Sequence, residues 1–79
     1  MFDSSNYEKL LSEFVLKMAT YSYNKKVKEY SSDYEAPANT LNEAKAAALA
    51  LRNELLLLPS GAQSKLLLQR IDEILKTGN

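Results

Sequence analysis

Two short proline-bearing segments, Ala36-Pro37-Ala38-Asn39 and Leu58-Pro59-Ser60-Gly61, divide this chain into three runs. A proline pushes the residue before it out of the helical region, so each segment closes whatever helix precedes it. The runs read as helix. Apolar residues recur at intervals of three and four rather than alternating, and β-branched residues are few: Val15, Val27, Ile71, Ile74 and three threonines. The runs also open alike. Ser5-Asn6-Tyr7-Glu8, Thr40-Leu41-Asn42-Glu43 and Ser60-Gly61-Ala62-Gln63 each place Ser or Thr three residues before Glu or Gln. That spacing predicts a capping box, in which the hydroxyl accepts from an orphan amide and the longer side chain reaches back to the cap. Gly78 is placed to close the last helix in the left-handed conformation.

The expected fold is all-α, one small helical domain over residues 1–79: a long helix 1 (about 5–34) and an antiparallel hairpin of helix 2 (about 41–58) and helix 3 (about 62–76). Helix 3 carries Leu67, Leu68, Ile71, Ile74 and Leu75 on one face, with Leu66 stranded among polar residues. Helix 2 has a heptad-like stripe, Leu41, Ala44, Ala48, Leu51, Leu55 and Leu58. Yet twelve of its eighteen residues are apolar, more than one face can hold, and Leu49, Leu56 and Leu57 fall on its back. A helix apolar around most of its circumference is normally covered on more than one side.

Helix 1 is less simple. Tyr7, Leu10, Leu11, Phe14, Met18 and Tyr21 form one stripe; Tyr23, Val27, Tyr30 and Tyr34 form a second. At about 100° per residue the two point to nearly opposite sides. Either the helix breaks near residues 21–24, giving four short helices, or it continues and turns its second half toward something other than the hairpin. Residues 21–24 contain no Gly or Pro, so the continuous helix is the expectation.

Composition narrows function. Among 79 residues there is no Cys, His or Trp. Thiolate nucleophiles, zinc-thiolate sites and disulfides are excluded, and so is the side chain best suited to proton transfer near neutral pH. Asp72 and Glu73 diverge around a helix, Glu29 and Asp33 lack a third ligand, and Gly61 and Gly78 build no phosphate-cradling loop. No enzymatic activity, cofactor or metal is expected. The residues at the start have no basic and apolar leader pattern, and the longest apolar run, residues 46–51, is far short of the roughly 20 that span a bilayer. A cytoplasmic protein without membrane attachment is expected.

Ten basic and ten acidic residues give a net charge of zero, against a dedicated nucleic-acid binder. Lys25, Lys26 and Lys28 lie among tyrosines, a pattern that stacks bases and holds phosphates, but Glu29, Asp33 and Glu35 neutralise the same stretch. A nucleic-acid-associated regulator is therefore the third reading. The first is a non-catalytic interaction protein, an adaptor, chaperone or inhibitor, that covers apolar surface of a partner or of its own copy, a homodimer above all. Its partner-binding residues are Tyr23, Val27, Tyr30, Tyr34, Leu49, Leu56 and Leu57. Tyrosine gives large contact area at low entropy cost and is enriched at interfaces, whereas a core position would more typically carry Leu, Ile or Phe. Packing of the same tyrosine stripe under a folded-back segment is the competing reading. The second functional reading is a structural subunit of a larger symmetric assembly. Size favours association in either case, because a chain this short buries only about 60% of the surface its unfolded form exposes.

Overall fold

The computed structural model describes residues 4–35 and 39–78. It contains three helices, α1 (Ser4–Tyr30), α2 (Thr40–Leu55) and α3 (Lys65–Lys76), with a single 3-10 turn at Ser60–Ala62 and no strand among the described residues. The fold is an all-α three-helix arrangement.

α1 runs without a break through residues 21–24. Asn24 stands mid-helix, where its amide would normally compete with the backbone, but it does so here without opening the helix. Its Nδ2 donates to the Thr20 carbonyl at 2.8 Å, and the Thr20 hydroxyl donates to the Leu16 carbonyl at 3.0 Å. The helix stops earlier than expected, at Tyr30 rather than residue 34. Ser31, Ser32 and Asp33 are weak helix formers, and the chain turns there, with the Ser31 amide bonded to the Val27 carbonyl at 2.9 Å and the Tyr34 amide to the Ser31 carbonyl at 3.1 Å. The Lys28 ammonium closes the turn by donating to the carbonyls of Ser32 (2.9 Å) and Tyr34 (3.0 Å), where the helix dipole favours a cation. Tyr34 thus leaves the helix altogether. Most of the first proline segment, 36–38, lies outside the described residues.

The helix starts also differ from expectation. α2 is entered through Asn39 at φ 73°, a left-handed conformation that Asn tolerates better than most residues. Its carbonyl accepts the Glu43 amide at 2.8 Å, so Thr40 is already helical and no side-chain cap forms. Glu43, freed from the expected box, pairs with Lys17 of α1 at 3.4 Å. Ser5 stands inside α1 as placed, one residue into the helix, and not before it. At α3 the cap is Ser64, whose hydroxyl accepts from the Leu67 amide at 3.2 Å. The 3-10 turn uses the backbone of Ser60–Gln63, and Gln63 reaches back to the Leu58 carbonyl at 2.9 Å. α2 ends at Leu55, not 58: its last turn tightens through Leu57 to Glu54 and Leu58 to Leu55 bonds before Pro59. Gly78 does not take a positive φ; Thr77 ends α3 in an extended conformation, its hydroxyl bonded to the Glu73 carbonyl at 3.0 Å.

α2 is the centre of the packing. α1 and α3 each lie against it, and neither makes a close backbone approach to the other. The buried cluster is Phe14 from α1, Ala44, Ala48, Leu51 and Leu55 from α2, and Ile71 and Ile74 from α3. Ala44 and Ala48 leave room for α1 to approach closely, and Leu51 and Leu55 fill the wider end toward α3. The outcome is elongated, 48 × 21 × 16 Å, with a radius of gyration of 14.1 Å, where a compact chain of this length would have about 11.6 Å.

Two outcomes test this account. Leu51→Ala removes a fully buried side chain at the common contact of all three helices, at a cost of about 2–5 kcal/mol; for a domain of this size that abolishes cooperative melting by circular dichroism. Ser64→Ala costs about 1 kcal/mol and lowers Tm by about 4–8 °C, whereas Ser60→Ala, at the residue named by the sequence pattern, leaves Tm nearly unchanged.

Candidate functional site

An unbroken α1 carrying two stripes in opposite phase must bury one and expose the other. The stripe built on Phe14 is the buried one, with Tyr7, Leu10, Leu11, Met18 and Tyr21 packed around it against α2 and α3. Tyr23 and Tyr30 therefore point away from the core, 66% and 83% exposed. Val27, between them, is half-buried. Leu16 continues the same line: it stands seven residues before Tyr23, as Tyr23 stands seven before Tyr30, and it is 63% exposed. Sequence reading passed over Leu16 because it falls among the residues of the inward stripe; its signal is the seven-residue interval alone.

Tyr34 belongs to another arrangement. Carried back by the Ser31–Tyr34 turn, its hydroxyl donates to Oδ1 of Asn24. Asn24 is only 5% exposed and is the one polar residue buried among those described. Both of its amide atoms are bonded, Nδ2 to Thr20 and Oδ1 to Tyr34, which removes the cost of burying it. Tyr34 and Lys28 together fasten the turn onto the last part of α1.

The three leucines assigned to the back of helix 2 separate as well. Leu49 is exposed on α2, flanked by exposed Ala46, Asn42 and Asn53. Leu56 and Leu57 come after the last residue of α2, in the turn leading to Pro59, and both are exposed, Leu57 at 65%. The outer face of α1 and the exposed side of α2 point away from each other across the core, so the seven residues form no single patch. Leu66 of α3 is a further exposed leucine, beside Arg70 and Glu73, which pair at 3.6 Å.

Three ion pairs form among the described residues, Lys17–Glu43, Arg52–Asp72 and Arg70–Glu73. Asp72 pairs with Arg52 at 3.7 Å, and Glu29 and Asp33 no longer share a helical face because the helix ends between them. Among the described residues no three acidic side chains converge as a metal site. The depressions in the surface are open ones. One of about 450 Å³ is a trough along α3 lined by Lys65, Gln69, Asp72 and Lys76, and another of about 370 Å³ lies between Tyr21, Asn24, Lys28 and Thr40. No described helix is long and apolar enough to cross a membrane. Comparison with protein-family models, with curated proteins and with solved structures finds no match.

Tyr34→Phe checks the fastening of the turn. Loss of the hydroxyl leaves the buried Asn24 oxygen without its donor and destabilises the fold by about 1–2 kcal/mol in urea melts, with faster amide exchange over residues 31–35. Tyr30→Phe, at an exposed position, changes neither.

Proposed function

We propose that this chain is a non-catalytic interaction protein of the cytoplasm that works by covering apolar surface of a protein partner. One observation carries the reading: Leu16, Tyr23 and Tyr30 lie in water along one line of a rigid helix whose other face is already committed to the core. Covering a large apolar side chain is worth about 1.5–3 kcal/mol, so three in a row supply most of what a specific contact requires. α1 presents them already ordered, which lowers the entropy lost on binding. The tyrosine hydroxyls at the edge remain hydrated, so the surface persists in the free protein.

A second reading, a subunit of a larger assembly, is favoured by the separation of the patches. Leu49, Leu56 and Leu57 face away from the α1 stripe, and two unlike surfaces on opposite sides of a protomer are what a head-to-tail contact uses. The nucleic-acid reading gains nothing: Lys28 is spent on the carbonyls of the turn, leaving Lys25 and Lys26 beside Glu29.

A photo-crosslinking residue introduced at position 23 or 30, with Glu13 as the control position, tests the reading in cells. A discrete protein adduct from positions 23 and 30, and none from 13, is the expected outcome. Equal or absent labelling at all three overturns it.

A further inference from the structure

Among the exposed apolar groups, the α1 stripe is the one that stays continuous over two heptads. Leu49 is interrupted by asparagines on both sides, Leu56 and Leu57 sit in a turn, and Leu66 lies beside an ion pair. Leu16, Tyr23 and Tyr30 repeat at seven residues over about 21 Å of helix, with Ala19, Thr20, Lys26 and Val27 between them. That is the spacing of a seam between two helices crossing at about 20°.

Resting on the interaction reading above, we propose that the occupant of this face is a second copy of the same chain, its α1 lying antiparallel across the first with the two-fold axis at Tyr23. Three features support this occupant. The first is area. The protein exposes 5683 Å², whereas a compact monomer of 8.9 kDa exposes about 4,800 Å². The excess, about 900 Å² over the whole elongated chain, is of the order of the roughly 800 Å² that each partner gives up in a stable interface of ordinary size, and Leu16, Tyr23 and Tyr30 contribute to it.

The second is shape. An axis through Tyr23 sets Tyr30 level with the partner's Leu16 and Val27 level with the partner's Ala19. Large thus meets smaller on either side of the axis, Tyr23 meets its own copy on it, and Lys26 falls level with the partner's Thr20, so the stripe can pair with itself as a two-fold contact requires.

The third is charge. A parallel pairing would bring Lys25, Lys26 and Lys28 of both chains to the same level. The antiparallel one sets them level with residues 18–21 of the other chain, which carry no charge. It also opposes the helix dipoles. With no net charge on the chain, no long-range repulsion works against self-association.

The absence of cysteine permits a clean test on the full chain. Light scattering after size exclusion is expected to give twice 8.9 kDa, reverting to the monomer on dilution. Tyr23→Cys should then crosslink to itself with a short bis-maleimide. Leu16→Cys and Tyr30→Cys should each fail to crosslink alone and should crosslink when the two variants are mixed. Tyr23→Asp, at an exposed position, should weaken the dimer about thirtyfold or more with an unchanged circular dichroism spectrum. Monomer mass at every concentration overturns the proposal. So does self-crosslinking at positions 16 and 30, which marks a parallel pair, and so does crosslinking at Leu57→Cys equal to that at Tyr23→Cys, which marks another face. A monomer that still yields an adduct to a different protein from position 23 or 30 in cells sinks the dimer and spares the interaction reading. A monomer with no such adduct sinks both.

Discussion

The arrangement depends on α2 being apolar on two sides at once. Ala44, Ala48, Leu51 and Leu55 lose all or nearly all contact with water because α1 covers one flank of their helix and α3 the other. No other pair of elements contributes a comparable buried surface. α1 and α3 are long enough to have wrapped further around α2, but their own sequences do not ask for it: each has one committed face and a remainder that is polar or apolar in the wrong direction. A central helix with two neighbours leaves the outer faces of those neighbours uncovered by any other described element.

Those uncovered faces are where the functional reading lies, and their chemistry differs. α3 turns Gln69, Asp72, Glu73 and Lys76 outward, an ordinary solvated surface. α1 turns out a leucine and two tyrosines in one line. A solitary exposed apolar side chain is common and carries no message, but a row of them on a single helix is the pattern that marks contact surfaces. The turn after α1 adjoins that row. By drawing Tyr34 onto Asn24, it takes a tyrosine that would have extended the row and spends it on a buried polar group.

How far the sequence revealed this can be followed residue by residue. The inward stripes of all three helices were legible, because a period near 3.6 depends only on the helix itself and on one side being dry. The opposed phases of Tyr21 and Tyr23 were legible too. With no breaker between them, one stripe had to face outward. The ends were not. α1 ends at Tyr30 because weak helix formers follow it and because Tyr34 is held back by Lys28 on its carbonyl and Asn24 on its hydroxyl, bonds that span six and ten residues and that no local pattern encodes. Ser64 caps α3 in place of Ser60 because the residues after Pro59 first complete a 3-10 turn. Leu56 and Leu57 would lie on the back of helix 2 if it ran to Leu58, and they fall in the turn because α2 ends at Leu55. Leu16 escaped notice for a different reason. Its neighbours in sequence belong to the inward stripe, and its kinship with Tyr23 and Tyr30 shows once the phase is followed along the whole helix.

Close backbone approach of α1 to α2 and of α2 to α3, with none between α1 and α3, also governs how the chain reaches this shape. Every close approach between helices is made by elements adjacent in sequence, so no long loop has to close before the first contacts are rewarded. Such a topology condenses rapidly from either end, and α2 can begin with whichever neighbour forms first. The reverse path is equally local: α3 can peel from α2 without disturbing the backbone approach of α1 to α2, although it uncovers the core cluster that Phe14 shares with Ile71 and Ile74.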